Sequence, residues 1–121
     1  LAHVTLDLLV HSPRDGWWWV VALGVLIAAP IVEETLYRGC LQQALRRLKV
    51  GRWWAILLTS GIFVLMHLPA LHTETLIGSL VALLVVSILF GWIREWTGCL
   101  AASISAHVLF NAFNLAIALL L

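Results

Sequence analysis

The chain has 121 residues, 63% of them apolar and 11% charged, with a formal net charge of +1 and a mean hydropathy of +1.05. That length allows one domain, and an apolar share far above the roughly half usual for a soluble domain excludes a water-soluble globule. Seven Lys and Arg residues make no broad basic face, which excludes a nucleic-acid binder as well.

Residues 1–16 hold a short apolar stretch, Val4 to Val10, ended by Ser12-Pro13-Arg14-Asp15-Gly16, a helix-breaking run suited to a turn at the water boundary. They read as an interfacial segment or the end of a preceding span. The start at Leu1, with no basic n-region and no cleavage site, is that expected of an excerpt from a longer protein without a signal peptide. Residues 17–121 read as one core domain. Its first span runs from Trp17 through Val32 into Glu33 and Glu34, and continues helically to about Leu48 with a kink at Pro30. A basic loop follows, with Arg46, Arg47, Lys49 and Arg52 around Gly51. Trp53 to Leu68 is the second span, stopped by Pro69; a polar connector, His72 to Glu74, leads to a third span from about Thr75 to Ile93. Arg94 to Gly98 reads as a turn, and Leu100 to Leu121 as the fourth span. The fold class is therefore all-α, an integral membrane bundle of about four transmembrane helices.

The seven tryptophans, Trp17, Trp18, Trp19, Trp53, Trp54, Trp92 and Trp96, all lie at span edges, where an amphipathic ring prefers the headgroup layer. Basic residues gather at 46–52 and at Arg94, whereas the connector at 69–75 has none, so the positive-inside rule predicts a cytoplasmic basic loop. Cys40 and Cys99 lack metal-ligand or disulfide spacing and read as small apolar residues. His3, His11, His72 and Glu74 fall in aqueous segments and are given no role. Ala101, Ala102, Ser105 and Ala106 are expected to let helices approach closely.

Six residues stand where hydrocarbon is expected: Glu33, Glu34 and Arg38 on the first span, His67 on the second, His107 and Asn111 on the fourth. Each is costly there without a partner or a watery cavity. At ~1.5 Å per residue from the basic loop, Glu33 and Glu34 lie roughly 18 Å deep, Arg38 about 12 Å and His67 about 22 Å. From the Arg94 turn, His107 lies at roughly 15 Å and Asn111 at about 21 Å, so three helices carry polar groups at overlapping depths. Glu34 and Arg38 are four residues apart, as are His107 and Asn111, and Ser103 extends the second stripe. Glu33 points about 100° away from Glu34, so one carboxylate is expected to face the cavity while the other pairs with Arg38.

Peptide hydrolysis needs a base to deprotonate water and donors to hold an oxyanion; a buried Glu beside a His suits the first task, and Asn111 with a His donor the second. Two His and one Glu are also a common catalytic zinc set, with Glu34, His67 and His107 the candidate ligands. Spacing alone leaves both mechanisms open.

Glu33-Glu34-Thr35-Leu36-Tyr37-Arg38 fits E-E-x-x-x-R, Phe63 to His67 fits F-x-x-x-H, and His107 to Asn111 fits H-x-x-x-N, in order and on successive spans. Together they resemble the CAAX prenyl protease and bacteriocin-processing family of intramembrane peptidases, also called the Abi family, over about Ala28 to Leu115. The resemblance implies a membrane endopeptidase in which Glu33 and His67 activate water, His107 and Asn111 stabilise the oxyanion, and Glu34 and Arg38 complete and orient the site. It implies a membrane-associated or lipidated peptide substrate, with no cofactor required in a glutamate mechanism and zinc as the alternative. Tyr37 and Ser103 are expected to be packing residues or supports behind the site residues. The rival readings are a non-catalytic scaffold or bacteriocin-immunity protein, and a small transporter or proton relay built on the same Glu/His chain.

Overall fold

The computed structural model describes the backbone of residues 3–121 and the side chains from Val4 onward, so the reading of His3 lies outside the described side chains. Five helices follow in order: α1 (His3–His11), α2 (Gly16–Arg47), α3 (Arg52–His67), α4 (Leu76–Thr97) and α5 (Leu100–Leu120). Single 3₁₀ turns extend α3 to Ala70 and precede α4 from Thr73, and the four elements from α2 onward are each long and apolar enough to cross a membrane. The protein is an all-helical integral membrane protein. Helices suit that solvent because each closes its own backbone hydrogen bonds, leaving side chains such as Val32, Leu65, Ile77 and Leu109 to face outward.

α2 is 32 residues long, about 48 Å at the helical rise and longer than a hydrocarbon core, which lets it end in the basic loop. It is not a regular α-helix. Two wide turns with five-residue hydrogen bonding, Gly24–Ala28 and Thr35–Leu41, flank the segment that carries Glu33 and Glu34. The irregularity expected at Pro30 takes the form of the first wide turn, directly before a residue that has no N–H to give.

The turn expected over residues 94–98 is shorter than the sequence suggests. α4 continues to Thr97 and stops at Gly98, whose φ of 64° is the left-handed cap conformation, with its N–H donating to the Arg94 carbonyl at 3.1 Å. The extra turn keeps Glu95 on the helix, where its carboxylate takes Arg46 Nε at 3.4 Å, Arg52 Nε at 3.9 Å and Gln42 Nε2 at 3.2 Å. Two charges of the basic loop, Arg46 and Arg52, are thereby tied to α4.

Two further expectations are corrected. Ala101 and Ser105 face outward on α5, and it is Ser103, fully buried, that faces the bundle. Trp18 is not a headgroup anchor: it is buried with Leu9, Ala22 and Leu115, and its indole N–H donates to the Leu9 carbonyl at 2.7 Å, pinning α1 to α2. His72, given no role from sequence, pairs with Asp7 of α1 at 2.8 Å.

α2 and α4 meet at Gly91, because the carbonyl of residue 91 accepts from Gln42 Nε2 at 3.1 Å and an added Cβ would lie 2.9 Å from Gln42 Oε1 and 3.1 Å from Ile56 Cγ2. Gln42 cannot swing aside without losing Glu95. Gly91→Ala is therefore expected to cost about 1–3 kcal/mol through overpacking, measured as a lower midpoint of thermal unfolding in detergent; an unchanged midpoint would show that the contact relaxes freely.

Candidate active site

The buried faces of the spans are polar stripes at four-residue steps, the spacing that stacks side chains on one side of a helix. α2 buries Glu34, Arg38 and Gln42; α5 buries Ser103, His107, Asn111 and Leu115; α3 buries Thr59 and Phe63 in line with His67. α4, which carries none of the motif residues, adds Ser87, Phe90 and Gly91.

Glu34 and Arg38 are both 0% exposed and form an ion pair, Nη1 to Oε1, at 3.1 Å. Charges in such a place persist only with further hydrogen bonds. Arg38 Nη2 donates to the Ser87 carbonyl at 2.6 Å and to the Ser87 hydroxyl, and the guanidinium lies 5.0 Å from the Phe63 ring and 5.7 Å from that of Phe90. Glu34 Oε1 also accepts from His107 Nδ1 at 2.8 Å. The opposite nitrogen of that ring, Nε2, lies 3.5 Å from Glu33 Oε2, while Glu33 Oε1 lies 3.6 Å from His67 Nε2. His67 Nδ1 donates to the Phe63 carbonyl at 2.7 Å; a carbonyl only accepts, so that nitrogen carries the proton and Nε2 is the face turned to Glu33. Phe63 stacks on His67 at 4.2 Å and Phe90 on His107 at 4.7 Å, so both imidazoles are held edge-on to the carboxylate.

A cavity of about 150 Å³ opens onto this group, with Glu33, His67, His107 and Asn111 on its wall and Phe63 and Phe90 beside them. The two carboxylates divide as helix geometry requires: Glu33, with a side chain 30% exposed, faces the cavity, and Glu34 lies behind His107 on Arg38. All six residues singled out in the sequence are brought together. Asn111, 4% exposed, donates from Nδ2 to the Val25 carbonyl at 3.2 Å.

The charges can be counted. Two carboxylates, Glu33 and Glu34, share their surroundings with one guanidinium, Arg38, and with the imidazoles of His67 and His107. Of the three zinc ligands suggested by sequence, Glu34 meets the Nδ1 edge of His107, whereas the Nε2 edges of His107 and His67 both turn to Glu33.

Ser87, Phe90, Gln42 and Glu95 were not found by sequence reasoning. Gln42 continues the Glu34–Arg38 stripe by one step, a signal that was readable. Ser87 had none, since a serine within an apolar span costs little and marks nothing by its type.

The fold and this centre together define a multi-pass membrane protein with a carboxylate and two imidazoles gathered inside the bilayer on a shared cavity. The family model described as type II CAAX prenyl endopeptidase Rce1-like matches residues 15–113, and the chain belongs to that family, whose members are CAAX-type intramembrane endopeptidases. No curated protein and no solved structure gives a match.

Proposed function

We propose that this chain hydrolyses peptide bonds of membrane-associated, prenylated polypeptides through water activated by Glu33. The observation that supports the reading best is the placement of the Glu33 carboxylate on the cavity wall between two imidazole edges, 3.6 Å from His67 Nε2 and 3.5 Å from His107 Nε2. A water held in the cavity gives a proton to Glu33 while its oxygen attacks the scissile carbonyl, with the Nε2 edge of His67 beside the other carboxylate oxygen. The oxyanion that forms is held on the cavity wall by the Asn111 amide and the His107 ring. Glu33 then passes its proton to the departing amine, which completes the hydrolysis.

Glu34, Arg38 and Ser87 touch no substrate in this scheme; they hold the His107 ring by its Nδ1 edge. The aromatic stacking on both imidazoles serves the same end, since a ring that rotates loses its proton-transfer geometry. With the positive-inside rule, the basic loop at 46–52 is taken to be cytoplasmic.

The test is cleavage of prenylated and unprenylated peptides by purified protein in detergent, with and without a chelator. Wild-type turnover that prefers prenylated peptide and survives chelation, with His67→Ala lower in kcat by about 10²–10⁴-fold, is the expected result. Turnover abolished by the chelator and restored by zinc would overturn the carboxylate-only mechanism, and no turnover on any peptide would overturn the hydrolase reading itself.

A further inference from the structure

The wide turn Gly24–Ala28 lies one helical turn before the two carboxylates, and its hydrogen bonds, together with the proline that follows, leave the Val25 carbonyl without a donor from its own helix. The N–H of Ala29 donates to the carbonyl of Gly24, five residues back. The next amide in that register would reach the Val25 carbonyl, but residue 30 is proline and has no N–H. Val25 thus loses both backbone donors open to it, since the amide four residues on is committed to Gly24 and the amide five residues on does not exist. Val25 lines the cavity, and in a membrane a carbonyl so placed must find another donor. It finds the Asn111 side chain, whose Nδ2 donates to it at 3.2 Å from the facing helix.

We propose that Pro30 is a positioning residue for Asn111: by withholding a backbone donor from Val25 it creates the acceptor that fixes the Asn111 amide on the cavity wall. A carbonyl only accepts, so this contact sets which end of the amide faces α2 as well as where the side chain lies. Pro30 is fully buried and does not line the cavity, so its effect passes through the backbone. The catalytic consequence rests on the hydrolase reading given above; the hydrogen-bond assignment does not.

The chain holds only two asparagines, Asn111 and Asn114, so protein labelled with ¹⁵N at asparagine and studied by NMR in detergent micelles gives two side-chain amide pairs. The pair that disappears in Asn111→Ala belongs to Asn111. Pro30→Ala and Pro30→Gly both supply the missing N–H, and in both the Asn111 pair is expected to shift and to exchange faster with solvent while that of Asn114 stays in place. In cleavage assays Pro30→Ala is expected to lower kcat by about 10–100-fold, short of deleting an oxyanion donor outright, with KM little changed, and to have no further effect in an Asn111→Ala background. An unmoved Asn111 pair in both proline variants, or losses from Pro30→Ala and Asn111→Ala that multiply, would overturn the proposal. Absence of cleavage by the wild type would sink the hydrolase reading alone, because the NMR arm needs no activity.

Discussion

Glu33→Gln is expected to lower kcat by about 10²–10⁴-fold, the range for loss of a general base, with the helix content and the unfolding midpoint unchanged. Glutamine keeps the shape and one oxygen of glutamate, so the cavity survives while the group proposed to take a proton from water is gone. Stability should be indifferent because the Glu33 side chain is 30% exposed to the cavity and its neighbours, the Nε2 atoms of His67 and His107, stand at 3.6 and 3.5 Å rather than in tight hydrogen bonds. The neighbouring carboxylate makes the contrast. Glu34→Gln leaves Arg38 buried without its counter-charge and loosens the acceptor for His107 Nδ1, so both stability and kcat should fall. Retained cleavage in Glu33→Gln alongside lost cleavage in Glu34→Gln would exchange the roles of the two carboxylates.

Arg38→Met is expected to destabilise the protein by about 3–5 kcal/mol, the cost of stranding a buried charge, read as the change in unfolding free energy in mixed micelles. The cost is high because everything around Arg38 is arranged for a cation: Glu34 at 3.1 Å, the Ser87 carbonyl at 2.6 Å, and two ring faces, Phe63 and Phe90. Removing the stranded charge as well, in Glu34→Gln with Arg38→Met, should recover a large part of that loss while leaving kcat depressed, since His107 still lacks its carboxylate partner. A single variant that unfolds like the wild type would mean that the pair adds nothing to stability and serves orientation only.

Much of this was open to reading before any coordinates. Charged residues in a chain of 63% apolar composition are conspicuous, and the depth count placed Glu33, His67 and Asn111 at one level because helical rise is the same on every helix. The division of labour between Glu33 and Glu34 followed from the 100° step between adjacent helical residues. The Glu95 clamp was hidden by a boundary error: with residues 94–98 read as a turn, Glu95 had no helix to hold it beside Arg46, Arg52 and Gln42. Ser87 was hidden for another reason, since a hydroxyl in an apolar run becomes informative only once Arg38 is seen to reach it.

By itself the sequence determined the solvent, the number of spans, the residues of the polar centre and their shared depth, because hydrophobic length and helical periodicity are properties of one chain segment at a time. Only the tertiary structure decided which edge of His107 meets which carboxylate, that α4 supplies the anchor for Arg38, and that Val25 rather than a side chain receives Asn111. Those choices depend on the rotation of each helix about its axis and on where hydrogen bonds are left open by wide turns, and both are settled by packing between segments distant in sequence.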